Sequence, residues 1–383
     1  MKQKKKTGIL LSLIITVTAS LSAFAKSPEF ARPAEEWAHL RDNTLEWYEI
    51  ADLVKEYNAT VLQNEAKYNA DDLKLRTAQD TNEALTSMAD SYEFMAMEAE
   101  NTTGGALTAA SYRMMADQLR SQAEENVSDN QVVHFEYERA EREIAKNVQE
   151  LFVNYYKQQL LNAQDQKNIA YLERVYNSKQ NLQRNGMGTQ LEVLTALENL
   201  QKAQAAAITD DALLSSDYRK LITLCGWQYD APAVIGPMPE LDPAALASVD
   251  YAASAELALS NSITLRSDER KLANAREYYG GATSMKAAAQ LAADQNNVKS
   301  NFNTAYNSLL LAKATYDNAC AQAQVQATNL AQAARQLNLG VISQVEYVAV
   351  EYAYDQAVTA RDVSLYDLII SRIGFDAAVN GLA

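Results

Sequence analysis

The sequence predicts an all-α, elongated protein built from tandem long-helix hairpins in two structural repeats. Three observations predict it. Proline is confined to the ends of two long stretches: Pro28 and Pro33 come first, Pro232, Pro237, Pro239 and Pro243 cluster later, and none lies between 34 and 231 or after 243. Proline is excluded from helix interiors, so two long helical regions flank one proline-rich connector. The composition is that of long helices with modest cores, with 12 Gly, 6 Pro and 7 Phe in 383 residues against 21 Tyr and abundant Ala, Gln and Asn. Finally, one turn occurs twice. Asn185-Gly186-Met187-Gly188-Thr189-Gln190-Leu191-Glu192 returns as Asn338-Leu339-Gly340-Val341-Ile342-Ser343-Gln344-Val345-Glu346, with the aligned glycines 154 residues apart. In each copy a left-handed Gly ends one helix, and Thr/Ser-x-x-Glu forms a capping box that starts the next. Each copy therefore joins two antiparallel helices.

The elements follow in order. Residues 1–25 read as a signal peptide: Lys2, Lys4, Lys5 and Lys6 form the charged region, 8–24 the apolar run, and Ala23-Phe24-Ala25 the cleavage site. Residues 26–43 are expected to be an extended N-terminal segment. The first repeat spans 44–226, the proline-rich linker 227–247 and the second repeat 248–383. In the first repeat one helix is expected from about Thr44 to Glu100, turned by Asn101 to Gly105. A second is expected from about Leu107 to Arg184 on its helical spacing, with Ser128-Asp129-Asn130 a candidate break, and a third from about Leu191 to Leu224. In the second repeat the helices are expected at about Ala252–Glu277, Ser284–Leu337 and Val345–Ile373. The end of the last echoes the end of the third, pairing Leu221 with Ile369 and Gly226 with Gly374. At 1.5 Å per residue, the first and last helices of the second repeat (roughly 40 and 45 Å) stack end to end beside the roughly 80 Å middle one. The first repeat is longer, so its Gly104-Gly105 apex projects roughly 30 Å beyond Gly280-Gly281.

Formal net charge is −15 and becomes more negative once the four leader lysines are removed, which disfavours nucleic acid and anionic surfaces as partners. Cys225 and Cys320 fall too far apart along the hairpins to bridge, so two buried free thiols are expected. His39 and His134 sit in no metal-ligand spacing, and no phosphate loop, dinucleotide fingerprint or nucleophile elbow occurs. No enzyme activity, cofactor or metal is expected. The remaining candidate residues are those of the repeated turn: Gly186, Thr189, Glu192, Gly340, Ser343 and Glu346.

The order, spacing and duplication of these features resemble the TolC-type outer-membrane efflux channel family over nearly all of the mature chain. Thr44-Leu45-Glu46 through Tyr57-Asn58-Ala59-Thr60 is similar to that family's opening helix. The turns at Gly186 and Gly340 are similar to its periplasmic tip turns, and the proline-rich linker sits where its two repeats join. The resemblance implies a homotrimer forming an α-helical barrel. It implies a duct in a cell-envelope export assembly of efflux or type I secretion kind, working with a membrane-fusion-type adaptor and an inner-membrane transporter. It also implies an exported chain in the extracytoplasmic envelope, in the periplasm or outer membrane of a two-membrane cell. In such a duct the tip turns contact the adaptor, and Glu346, six residues after its Gly, stands where an acidic residue narrows the pore. One departure is clear. The family's membrane strands need roughly 9–11 residues each, and only a few turn residues stand at Gly104-Gly105 and Gly280-Gly281. The membrane β-barrel is therefore expected to be reduced or absent. The reading from a different class is a non-conducting coiled-coil structural or adaptor-like envelope protein.

Overall fold

The computed structural model describes residues 26–71, 77–102, 104–239 and 241–383. The expected signal peptide lies outside the described residues. The chain opens with α1 (Ala34–Leu40), a two-residue strand β1 (Thr44–Leu45), α2 (Ile50–Tyr57), α3 (Ala59–Asp71), α4 (Ala78–Glu100) and α5 (Ala106–Glu125). The long α6 (Asn130–Arg184) and α7 (Gln190–Leu224) complete the first repeat. Strand β2 (Val234–Ile235) and α8 (Pro243–Ala247) form the connector, followed by α9 (Tyr251–Asn261), α10 (Ile263–Tyr278), α11 (Gly281–Asn338) and α12 (Gln344–Ala377). The structure is all-α apart from β1 and β2, the only strands among the described residues.

Each repeat lays shorter helices end to end along one long helix. In the first, α7, α2 and α3 pack along α6; in the second, α12, α9 and α10 pack along α11. The breaks between stacked helices are side-chain caps. Asn58 ends α2 and starts α3: its Oδ1 accepts from the Thr60 N–H at 3.0 Å, and its Nδ2 donates to the Leu224 carbonyl at 2.8 Å, at the end of α7. Ser262 starts α10 by accepting from the Leu265 N–H at 3.3 Å, while the neighbouring Asn261 donates to the Val379 carbonyl at 3.1 Å, just past α12. The same device thus ties the outgoing stack to the end of the returning helix in both repeats.

The core lies where these breaks lie. In the first repeat Leu45, Ile50, Leu53, Val148, Phe152, Leu221 and Trp227 are buried together; in the second Leu265, Phe302, Leu309, Leu368 and Phe375 are. Val153 of α6 meets Ile369 and Ile373 of α12 between them. The repeats are joined along α6 and α12 by Lys157–Asp367 (2.5 Å), Lys167–Asp355 (2.7 Å) and Arg174–Glu351 (3.5 Å). Tyr171 stacks on Tyr352 at 4.6 Å in the same seam. Partner numbers fall on α12 as they rise on α6, so these helices are antiparallel, and the α6–α7 and α11–α12 turns lie at one end of the molecule.

Several expectations are corrected. The first helix does not begin at Thr44. The Asp42 carboxylate accepts from the Thr44 N–H at 2.6 Å, and Thr44 and Leu45 pair in parallel with Val234 and Ile235, tying the N-terminus to the connector. Residues 26–43 are not wholly extended, because α1 forms behind Pro33 and buries Trp37 and Leu40. The helix expected from about Leu107 to Arg184 is two helices, and the candidate break at 128–130 sits at 126–129. Asp129 caps α6 by accepting from the Val132 N–H at 2.9 Å, and it also receives Arg270 and Asn274 of α10. The helix expected at about 252–277 is two helices, broken at Ser262. Gly374 is not the counterpart of Gly226, since α12 runs through Gly374 to Ala377. The left-handed glycine past α12 is Gly381 (φ +109°), 155 residues after Gly226 (φ +98°), close to the spacing of the tip glycines. Each is pinned beside the helix break of its own repeat: a Cβ on Gly226 would lie 2.3 Å from Tyr57 Cβ, and one on Gly381 2.5 Å from the Asn261 carbonyl oxygen.

Both cysteines are free; Cys225 is buried and Cys320 only half-buried, which corrects the expectation of two buried thiols. Burial pushes the Cys225 thiol up, so it carries no thiolate at neutral pH. In the native protein, maleimide modification should reach Cys320 well before Cys225, and both should react once the chain is unfolded without reductant. Mass spectrometry of the quenched protein reads the order. Phe152, wholly buried against Trp47 (5.6 Å) and Tyr156 (5.4 Å), is the second test. Replacing Phe152 by Ala should cost about 3–5 kcal/mol in denaturant unfolding, whereas Phe30→Ala, at an exposed site, should cost little.

Candidate functional site

The two repeated turns have the same construction. After α6, Gly186 (φ +73°) lets the chain reverse; its N–H donates to the Gln183 carbonyl at 2.9 Å, and the Met187 N–H donates to Leu182 at 2.8 Å. After α11, Gly340 (φ +69°) donates to Leu337 at 3.0 Å, and Val341 to Gln336 at 2.9 Å. This pair of bonds satisfies the last carbonyls of a helix and requires a left-handed residue, a conformation that glycine adopts at no steric cost. The next helix starts with a reciprocal cap. Thr189 Oγ1 accepts from the Glu192 N–H at 3.3 Å, and Glu192 Oε2 accepts from the Thr189 N–H at 2.9 Å. Ser343 Oγ accepts from the Glu346 N–H at 3.3 Å, and Glu346 Oε2 accepts from the Ser343 N–H at 2.7 Å. All six residues singled out in the sequence thus belong to two like turns, and the antiparallel α6–α12 seam brings those turns to one end.

The copies differ in charge. Glu192 Oε1 also takes Lys179 Nζ at 2.8 Å, and this partner, with the Thr189 bonds, pulls its carboxyl down to about 2. The residue in the place of Lys179 on α11 is Ala333. Glu346 is lowered by its Ser343 bonds, the backbone one first, and it is exposed. The second-repeat tip therefore presents a carboxylate with no cation beside it in the cap, while the first-repeat tip presents a neutralised one.

Apolar side chains crown the same end. Met187, Leu191, Leu339 and Val341 are 70, 73, 78 and 68% exposed. Sequence reasoning fixed on the glycine and the cap and passed over these four, although Met187 and Val341 directly follow the turn glycines. Elsewhere, Asp165 of α6 is pushed up to about 6 by burial and by Asp210 of α7; this is a contact within one helix pair. No group of metal-ligating side chains is found among the described residues, and no described helix is long and apolar enough to cross a membrane.

No protein-family model matches the sequence, and neither does any curated protein sequence. Solved structures do match. A membrane protein from Pseudomonas aeruginosa aligns with a TM-score of 0.58 at 13% identity, over 88% of this chain and 90% of that one. The open-state MtrE outer membrane channel of Neisseria gonorrhoeae aligns at 0.52 and 12% identity, over 88 and 89% of the two chains. The CmeC outer membrane channel of Campylobacter jejuni aligns at 0.51 and 12% identity, over 88% of each. At such identities the likeness is one of fold: the chain has the fold of the TolC-type outer-membrane channels.

The neutralised cap makes a pH prediction. The folded carboxyl of Glu192 lies at about 2, below its ordinary 4.5. Its contribution is therefore complete above the ordinary value and lost as pH falls through the folded one. Amide exchange at Thr189 and Glu192 should rise as pH drops across that window, beyond the intrinsic pH dependence of exchange, and Glu192→Gln should flatten the effect. An unchanged profile in the variant would remove the ion-paired cap as its cause.

Proposed function

We propose that this protein is a duct component of a cell-envelope export assembly, of efflux or type I secretion kind. The observation that carries the reading is the arrangement of two capped hairpin turns at one end of an elongated all-helical chain with the fold of outer-membrane channels. Hairpins this long, with cores confined to one level, have apolar surface that further copies of the chain can cover. The closed assembly proposed is a homotrimer forming a helical barrel. The exposed Met187, Leu191, Leu339 and Val341 support the tip as the contact for an adaptor, which in turn meets an inner-membrane transporter. The location proposed is the extracytoplasmic envelope.

The membrane β-barrel is proposed to be reduced or absent. Helices α4 and α5 are joined by residues 101–105, and α10 and α11 by Tyr279 and Gly280. Neither connection has the ~9–11 residues of a membrane strand. Glu346 is proposed to have two roles, a cap within the protomer and, in a ring of three, a ring of like charge at one mouth. Such a ring attracts cations and repels its own members.

Light scattering and electron microscopy of the purified mature chain test assembly: a closed trimer is expected, and a monodisperse monomer at tens of micromolar would sink the duct reading. Glu346→Gln tests the ring. It keeps a side chain able to complete the cap, so any loss should stay under the ~1 kcal/mol of a deleted cap, and assembly should be unchanged. Cation selectivity in a planar bilayer should fall. Selectivity like that of the wild type would leave Glu346 a cap only.

A further inference from the structure

The α4–α5 hairpin has no equivalent in the second repeat, where two residues join α10 to α11. Its seam is a strict heptad. Positions 85, 89, 92, 96 and 99 of α4 face positions 109, 112, 116, 119 and 123 of α5, with Tyr92 against Tyr112 at 6.1 Å. Its buried side chains are all alanines: 78, 89, 96, 109, 116 and 123. Alanine lets two helices approach closely but buries little apolar area. A free-standing helix pair with so thin a core is marginal in water.

The two edges flanking this seam differ. On one, Arg113 pairs with Glu93 (3.5 Å) and Glu100 (2.5 Å), and Arg120 with Asp90 (3.1 Å) and Glu93 (3.6 Å). On the other, the heptad positions preceding Ala89 and its equivalents are Thr81, Met88, Met95, Thr108, Met115 and Gln122, with no charge among them. Met88, Met95 and Met115 are 54, 44 and 43% exposed. Nothing among the described residues covers them. Among the described residues the hairpin is tied at its base, where Asn82 donates to the Tyr279 hydroxyl, that hydroxyl donates to the Ala123 carbonyl at 3.3 Å, and Lys286 pairs with Glu125 at 2.9 Å. It thus continues the helical wall past the second-repeat apex.

We propose that the methionine edges of α4–α5 in neighbouring copies of this chain converge around the ring axis, closing a helical collar at the end opposite the tip turns. This rests on the reading that copies assemble into a ring. Charge selects the occupant. Residues 78–125 carry nine acidic and two basic side chains, which disfavours an anionic lipid surface. The methionine edge itself is uncharged, so identical edges can meet without like charges opposing. Coiled-coil partners are chosen by the charge pattern of such flanking positions, and flexible methionines fill an interface repeated around an axis. The collar supplies the burial that the alanine seam lacks.

The test uses the full mature chain with Cys320→Ser, Cys225 being wholly buried. Met95→Cys, or Met88→Cys as a second site, should be joined into covalent dimers by a short bismaleimide, several-fold more than Asp90→Cys on the ion-paired edge. Equal or absent cross-linking in a particle whose mass is oligomeric overturns the collar and leaves the duct standing. A monomeric mass overturns both. A bimane label at Met95→Cys that shifts to the blue only when phosphatidylethanolamine–phosphatidylglycerol vesicles are added also overturns the collar, in favour of lipid.

Discussion

The fold depends on the seam between α6 and α12. Each repeat is a long helix with shorter helices laid along it, and neither repeat alone fixes its register against the other. The seam does so with contacts spread along its length: Lys157–Asp367, the buried Val153–Ile369–Ile373 cluster, Gln164–Thr359 (2.9 Å), Lys167–Asp355, the Tyr171–Tyr352 stack and Arg174–Glu351. Exposed ion pairs of this kind contribute little stability each. Their number and order, however, leave one register in which every charge is met. A slip of four residues either way would leave only one of Lys157, Lys167 and Arg174 opposite an acid. Because the seam is antiparallel, it also sets both tip turns side by side, on which any function of that end depends.

The end-to-end stacking creates a second constraint. Wherever one helix stops and the next begins, unpaired backbone groups must be satisfied inside the wall. Asn58 and Asn261–Ser262 do this, and each also bonds to a carbonyl at or just past the end of its returning helix, so the break and the closing of the repeat are one structure. Gly226 and Gly381 are needed there because the chain passes within contact distance of Tyr57 and of the Asn261 carbonyl. The large buried side chains, Phe152, Trp227, Phe302 and Phe375, gather at this level. Away from it the buried apolar residues are smaller and scattered, as with Val193, Ala196, Leu200, Ala333 and Val348.

This explains what could be read from the sequence. The two-repeat helical plan, the tip turns and their capping boxes were legible because they are local: a glycine, a hydroxyl and a glutamate at fixed offsets need nothing from the rest of the chain. The internal breaks were harder to read. Asn58 and Ser262 interrupt apolar periodicity that otherwise runs on, and they break the helix because Asn58 finds the Leu224 carbonyl and Ser262 the Leu265 N–H. Thr44-Leu45-Glu46 has the form of a helix start, yet its fate is decided by Val234 and Ile235, nearly two hundred residues away. The alignment of Gly226 with Gly374 failed because it followed the apolar residues before the glycine. The left-handed conformation that the close approach demands occurs instead at Gly381. At the tip, the exposed Met187, Leu191, Leu339 and Val341 were missed because burial is not visible in a turn.

The repeats agree at the tip and at the breaks and differ at the apex and in charge. Both shared features are forced by geometry, since any helix pair of this length needs a reversing glycine, a cap and a way to stack. The differences are not forced. The second repeat turns at Gly280 within two residues, whereas the first extends α4 and α5 into a hairpin with its own heptad. The first tip neutralises its carboxylate with Lys179, whereas the second has Ala333 in that place and leaves Glu346 unpaired. In a closed ring of identical chains the two tips would alternate, so a mouth built from like turns would alternate paired and unpaired carboxylates. The wall at the other end would be continued by the first repeat alone.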